Sequence, residues 1–119
     1  MIFFIQKFWL QITFLLLTTI ATLSLWPAAY LPEVPGTDKI HHFIAYAALM
    51  FPTVLKQHKY MITIALSFIA FSGAIELIQP YVNRYGEWLD MSANTLGLAC
   101  GWLLAKVTLY FFNKKSNTL

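Results

Sequence analysis

The sequence predicts an all-α fold: a polytopic membrane helical bundle with four transmembrane helices and both termini in the cytoplasm. Three observations lead there. Of 119 residues, 59% are hydrophobic and only 11% charged, against roughly 25% charged in soluble domains. A soluble globule of this size could not cover its surface with so few charges. The uncharged residues gather into four runs, each near the ~20 residues that cross a hydrocarbon core of about 30 Å. Lysine and arginine, finally, are distributed unequally between the two ends of those runs.

The first run follows Lys7 and spans residues 8–26, closed by Pro27 and Pro32, which cannot continue a helix. The stretch "YLPEVPGTDK" then reads as an extended, Pro/Gly-broken loop. A secretory signal peptide competes for this segment, because "WPAAY" offers small residues for cleavage. The uncharged stretch is too long for an ordinary h-region, however, and Lys7 alone marks an n-region. The second run, 40–55, is short and has Asp38 and Lys39 at its polar start, with Thr37 or Asp38 as N-cap. It crosses if the bilayer thins locally or its end residues snorkel. The third, 61–79, is interrupted by Glu76 and stopped by Pro80. The fourth, 89–112, has Asp90 near its start and Lys106 near its end. Together these segments form one domain, residues 1–119.

Lys7, Lys56, Lys59, Lys106, Lys114 and Lys115 fall at one side of these spans, and only Lys39 and Arg84 at the other. The positive-inside rule then puts both termini in the cytoplasm and the loops 27–39 and 80–89 outside. Trp26, Trp88 and Tyr110 suit interfacial belts. The single Cys100 excludes an internal disulfide and a thiolate metal cage. Although the formal charge is +3, the basic residues form no stripe for a phosphate backbone, so no nucleic-acid partner is expected.

Hydrophobicity leaves a small polar set unexplained. Ionisable groups inside spans are costly and usually face a bundle interior or a water-filled cavity. Asp38, His42 and Tyr46 recur at i, i+4 and i+8 and share one helical face. Glu76 and Gln79 share another, and Asp90 and Asn94 a third. With Lys39 and Arg84, these residues converge near the outer leaflet. The expected binding site is therefore Asp38, Lys39, His42, Tyr46, Glu76, Gln79, Arg84, Asp90 and Asn94, with His42, Glu76 and Asp90 as acid–base candidates. Structural roles compete at several positions. Asp38 suits a cap, Asp90 a helix-dipole partner, Tyr46 an interior hydrogen bond, and Glu76 an ion pair with Arg84 or His42. His41 reads as an interfacial or packing residue. Ala93, Gly97 and Gly101 form a small-xxx-small-xxx-small row for close helix packing, within the chain or against a second copy.

Taken in order, these residues resemble the VanZ-like family of small bacterial membrane proteins. One block is "DKIHHFIAYAAL", through Asp38, Lys39, His42 and Tyr46. The other is "ELIQPYVNRYGEWLDMSANTLGLACG", through Glu76, Gln79, Arg84, Asp90, Asn94, Gly97 and Gly101. The chain departs from the family pattern in placing Pro80 directly after Gln79 rather than nearer Arg84. The resemblance implies a multi-pass protein of the bacterial cytoplasmic (inner) membrane. The family's namesake is linked to resistance to the glycopeptide antibiotic teicoplanin.

Two functions follow as expectations. In one, a non-enzymatic envelope protein uses an outward-facing polar pocket for an anionic lipid or a lipid-linked envelope precursor. Arg84 and Lys39 hold the anionic group, and Glu76, Asp90, Asn94 and Gln79 orient the remainder. In the alternative, a membrane-embedded enzyme uses His42 or Glu76 as acid or base and Arg84 to stabilise developing negative charge. A metal held by His42, Glu76 and Asp90, with or without His41, ranks third, because no compact ligand motif such as HExxH occurs. No metal and no cofactor is assigned. The expected partners are membrane lipid or a lipid-linked precursor, and a second copy through the fourth helix.

Overall fold

The computed structural model describes residues 2–25, 37–79 and 88–118, apart from the side chains of 37–39, 88–90 and 115–118. These residues form five helices: α1 (Ile2–Lys7), α2 (Trp9–Ser24), α3 (Thr37–Lys56), α4 (Met61–Ile78) and α5 (Trp88–Thr118). No strand occurs among the described residues. Two helical stretches are long and apolar enough to cross a membrane, Met61–Ile78 and Met91–Lys114, with mean hydropathies of 2.0 and 1.5. Trp9–Ser24 is a shorter apolar helix.

Where the sequence predicts a first span beginning at residue 8, the helix begins at Ile2 and is interrupted at Phe8. Phe8 sits at φ −109°, ψ 24°, outside the α basin. The backbone ladder nevertheless runs through it, from Phe8 N–H to the Phe4 carbonyl and from Ile12 N–H to the Phe8 carbonyl. Lys7 is therefore a charge carried on a helical segment rather than a boundary. The last helix also exceeds its predicted 89–112, because the polar tail after Phe112 continues the helical ladder to Thr118.

Helix α3 is the hub of the bundle, touching α1, α2, α4 and α5, and its most extensive contact is with α5. The glycines of α5 explain why. A Cβ built at Gly97 would land on the Phe43 backbone carbonyl, and one at Gly101 on the Ala47 carbonyl. Both pairs have the same offset in sequence, so α3 and α5 run parallel and in register, backbone against backbone. Only glycine permits that approach, as in small-residue packing of membrane helices generally. The row is thus used within the chain. Helix α4 runs antiparallel to α5, since Ser72 meets Asn94 and Gly73 faces Met91.

Pro52 lies inside α3 and removes one ladder hydrogen bond. The helix continues past it because Leu49, Met50, Thr53, Val54 and Leu55 are fully enclosed by neighbouring helices. Its end is tied down twice. Gln6 Nε2 donates to the Leu55 carbonyl at 2.8 Å, satisfying one of the last-turn acceptors. Gln57 turns the chain at φ 59°, with its N–H on the Val54 carbonyl. That left-handed conformation costs a side-chain residue about 1 kcal/mol relative to glycine. Gln57→Gly should therefore stabilise the protein by roughly 0.5–1 kcal/mol, read as a shifted unfolding midpoint in detergent micelles. An unchanged or lowered midpoint would contradict this account of the turn.

The distribution of side chains is inverted relative to a water-soluble protein. Thr13, Ser24, Thr53, Ser72, Gln79 and Asn94 are buried, while Phe14, Leu15, Ile62, Leu66, Leu96, Leu103 and Leu104 are more than half exposed. Apolar exterior on this scale marks a surface that meets something other than water.

Candidate functional site

The buried polar residues do not scatter through the core. Tyr46, on α3, is 1% exposed and shares a hydroxyl–hydroxyl hydrogen bond with Ser72 on α4. Ser72 Oγ in turn accepts from Asn94 Nδ2, on α5, at 2.6 Å. One small node therefore joins three helices. By helical rise it lies about 9 Å below the described ends of α4 and α5 and about 14 Å below the start of α3. Tyr46, Ser72 and Asn94 are each 1% exposed, so their polar groups are satisfied chiefly by one another.

Helix α4 carries the polar face outward from the node. Glu76 stands one turn from Ser72 on the same side, partly buried, within electrostatic reach of Tyr46. Gln79 is 1% exposed, and its Nε2 donates to the Ser24 carbonyl at 3.1 Å. Ser24 ends α2, so Gln79 satisfies an orphan helix-terminal acceptor and draws α2 into the same group. All four long helices therefore contribute to one polar column.

Within this column, Asn94 Oδ1 and Gln79 Oε1 are buried and accept no hydrogen bond among the described residues. A buried acceptor left unmade costs about 1–3 kcal/mol. His42 is partly buried and His41 exposed on α3. Asp38 and Lys39 fall in the first turn of α3, and Asp90 in the first turn of α5; their side chains, and the whole of Arg84, lie outside the described residues. Among the described residues no three His, Cys, Asp or Glu side chains gather as metal ligands.

Ser72 and Ser24 are the site residues that sequence reasoning missed. The signal for Ser72 was present, since it precedes Glu76 by one turn on the same face. Ser24 contributes only a backbone carbonyl, which no side-chain pattern reveals.

The matched segment decides the lineage. A sequence model of the VanZ/LLP1 family matches residues 2–111. The chain belongs to the VanZ/LLP1 family. No curated protein and no solved structure matches it. As a VanZ/LLP1 protein it carries the motif residues on the parts of the bundle just described. Tyr46 and Asn94 flank Ser72, Gln79 holds α2, and Gly97 and Gly101 hold α3.

Proposed function

We propose that this VanZ/LLP1 protein is a four-span protein of the bacterial cytoplasmic membrane, with both termini cytoplasmic. Its polar column opens outward and binds the head group of a lipid-linked envelope precursor. The observation that carries this reading is the polar column itself, in which Glu76 and Gln79 of α4 continue outward from the Tyr46–Ser72–Asn94 node. Side chains with both donors and acceptors suit a ligand with hydroxyl or amide groups, as a glycan or peptide head group has. Lys39 and Arg84 then hold its phosphate or another anionic group. A simple anionic phospholipid meets the cations but offers fewer donors. In this role the protein sequesters or shields envelope precursors, which is how it would bear on tolerance to glycopeptides of the teicoplanin type.

Helix α3 completes the four spans. It is the central helix of the bundle, so much of its surface faces other helices rather than lipid, and its polar face costs less there. The lysines at the opposite end from the column support cytoplasmic termini. In a Cys100→Ala background, Asn83→Cys should react with an impermeant maleimide added outside intact cells. Labelling only from the cytoplasm would reverse the sidedness.

The competing reading is an enzyme using His42 or Glu76, favoured by a carboxyl that stands one turn from the Tyr46–Ser72 pair. Glu76→Gln and His42→Ala separate the two. For a binder, Glu76→Gln retains precursor captured on the purified protein, detected by mass spectrometry, within about threefold of wild type. For an enzyme acting through Glu76, the same variant loses turnover by a factor of about 10² or more while still capturing substrate. Capture of no lipid-linked precursor by the wild type would defeat the binding proposal.

A further inference from the structure

A second feature extends from the level of Asn94 toward the other end of the bundle and shares no lining residue with the polar column. Between α4 and α5, floored by Met50 of α3, runs a laterally open cleft of about 630 Å³, within the volume range of ligand sites. Its walls are apolar, chiefly Ala65, Ile69, Leu98, Ala99 and Trp102, and its basic residue is Lys106. The small side chains of Ala65 and Ala99 open it.

Position and charge specify an occupant. The antiparallel pairings of α4 with α5, continued along both helices, put Lys106 at the level of Tyr60. That is the α3–α4 turn, where Lys59 packs over the Tyr60 ring. Lys106 thus marks the end of the cleft nearest the basic side of the protein. From Lys106 to Thr95, the far lining residue on α5, the helix rises about 16 Å. Half of a 30 Å hydrocarbon core is about 15 Å. The cleft is one leaflet long, apolar along its length, and cationic at the interface.

The geometry points to a binding site for one acyl chain of an anionic phospholipid, its phosphate paired with Lys106; on the orientation proposed above, that lipid belongs to the inner leaflet. An open apolar groove in a bilayer is filled by lipid tails in any case. Lys106 makes the choice of tail depend on the head group. A lysine beside an anionic lipid surface favours it by about fivefold.

Trp102 supplies the readout, because it lines the cleft. With Trp9, Trp26 and Trp88 each replaced by Phe, the protein is reconstituted in phosphatidylcholine vesicles. A minor fraction of phosphatidylglycerol or phosphatidylcholine brominated on its acyl chains is then added. Brominated phosphatidylglycerol should quench Trp102 with about fivefold higher apparent affinity than brominated phosphatidylcholine. Lys106→Gln should reduce that ratio to about one without changing quenching by phosphatidylcholine. Ala99→Phe, which occupies the groove, should weaken quenching by both lipids. Equal quenching by the two lipids in the unmodified cleft, or a preference that survives Lys106→Gln, overturns the proposal. Because the readout sits on the cleft, loss of precursor binding at the polar column leaves this result unaffected.

Discussion

Gly101→Val is expected to take the bundle apart. The added Cβ lands on the Ala47 carbonyl, and both partners are helical backbone, so neither can rotate away. The two helices must separate along their most extensive interface. Overpacking a core costs about 1–3 kcal/mol and occasionally more; here the obstacle is backbone, which puts the effect at roughly 3 kcal/mol or above. Gly97→Val should behave alike against the Phe43 carbonyl. Gly73 provides the contrast. A Cβ there meets only the Met91 terminal methyl at an ordinary 3.5 Å, so Gly73→Ala should be neutral or stabilising by up to about 1 kcal/mol. Unfolding in mixed micelles with increasing SDS measures all three. Equal stability of Gly101→Val and wild type would mean that α3 and α5 are not in contact.

The second large effect belongs to Tyr46. It is 1% exposed at the centre of the hub helix and holds Ser72 through its hydroxyl. Tyr46→Ala removes the ring and leaves a cavity bordered by polar groups, at a cost of about 3–5 kcal/mol. Tyr46→Phe keeps the ring and loses one hydrogen bond, which in membrane bundles averages about 0.6 kcal/mol. The pair divides packing from polarity: the Ala variant should fail to fold stably, and the Phe variant should fold with a rearranged Ser72–Asn94 contact. If Tyr46→Phe is as damaging as Tyr46→Ala, the hydroxyl carries the site and the packing account is wrong.

Much of this was legible in the residue order. Pro80 falls just past the last helical turn of α4, and the glycines four apart in α5 require a close neighbour whatever that neighbour is. The polar residues of α3, α4 and α5 declared shared faces by their spacing. The serines and threonines were not legible. Thr13, Thr19, Ser67, Thr95 and Thr108 each return their hydroxyl to the carbonyl one turn back, the ordinary arrangement for such residues in helices. Ser72 reaches across to another helix instead, and its spacing of one turn from Glu76 is the one sequence feature that separates it from Ser67. The break at Phe8 was equally hidden, since neither proline nor glycine marks it. The choice of partner for the glycine row depended on a contact remote in sequence, which periodicity along one helix cannot supply.

The parallel pairing of α3 and α5 also bears on how the protein is made. Phe43 and Ala47 meet glycines synthesised about 50 residues later, with all of α4 between them. At translation rates of about 5–20 residues per second, α3 waits several seconds for the partner that closes its backbone groove. During that interval Tyr46 and its neighbours have α1, α2 and then α4 for cover, but not the helix that makes the most extensive contact with α3. On the four-span topology proposed above, α3 is expected to stay beside the insertion machinery until α5 arrives. A ribosome-stalled chain ending before Gly97 should still crosslink to that machinery, and one extending beyond the C-terminal end of α5 should have left it.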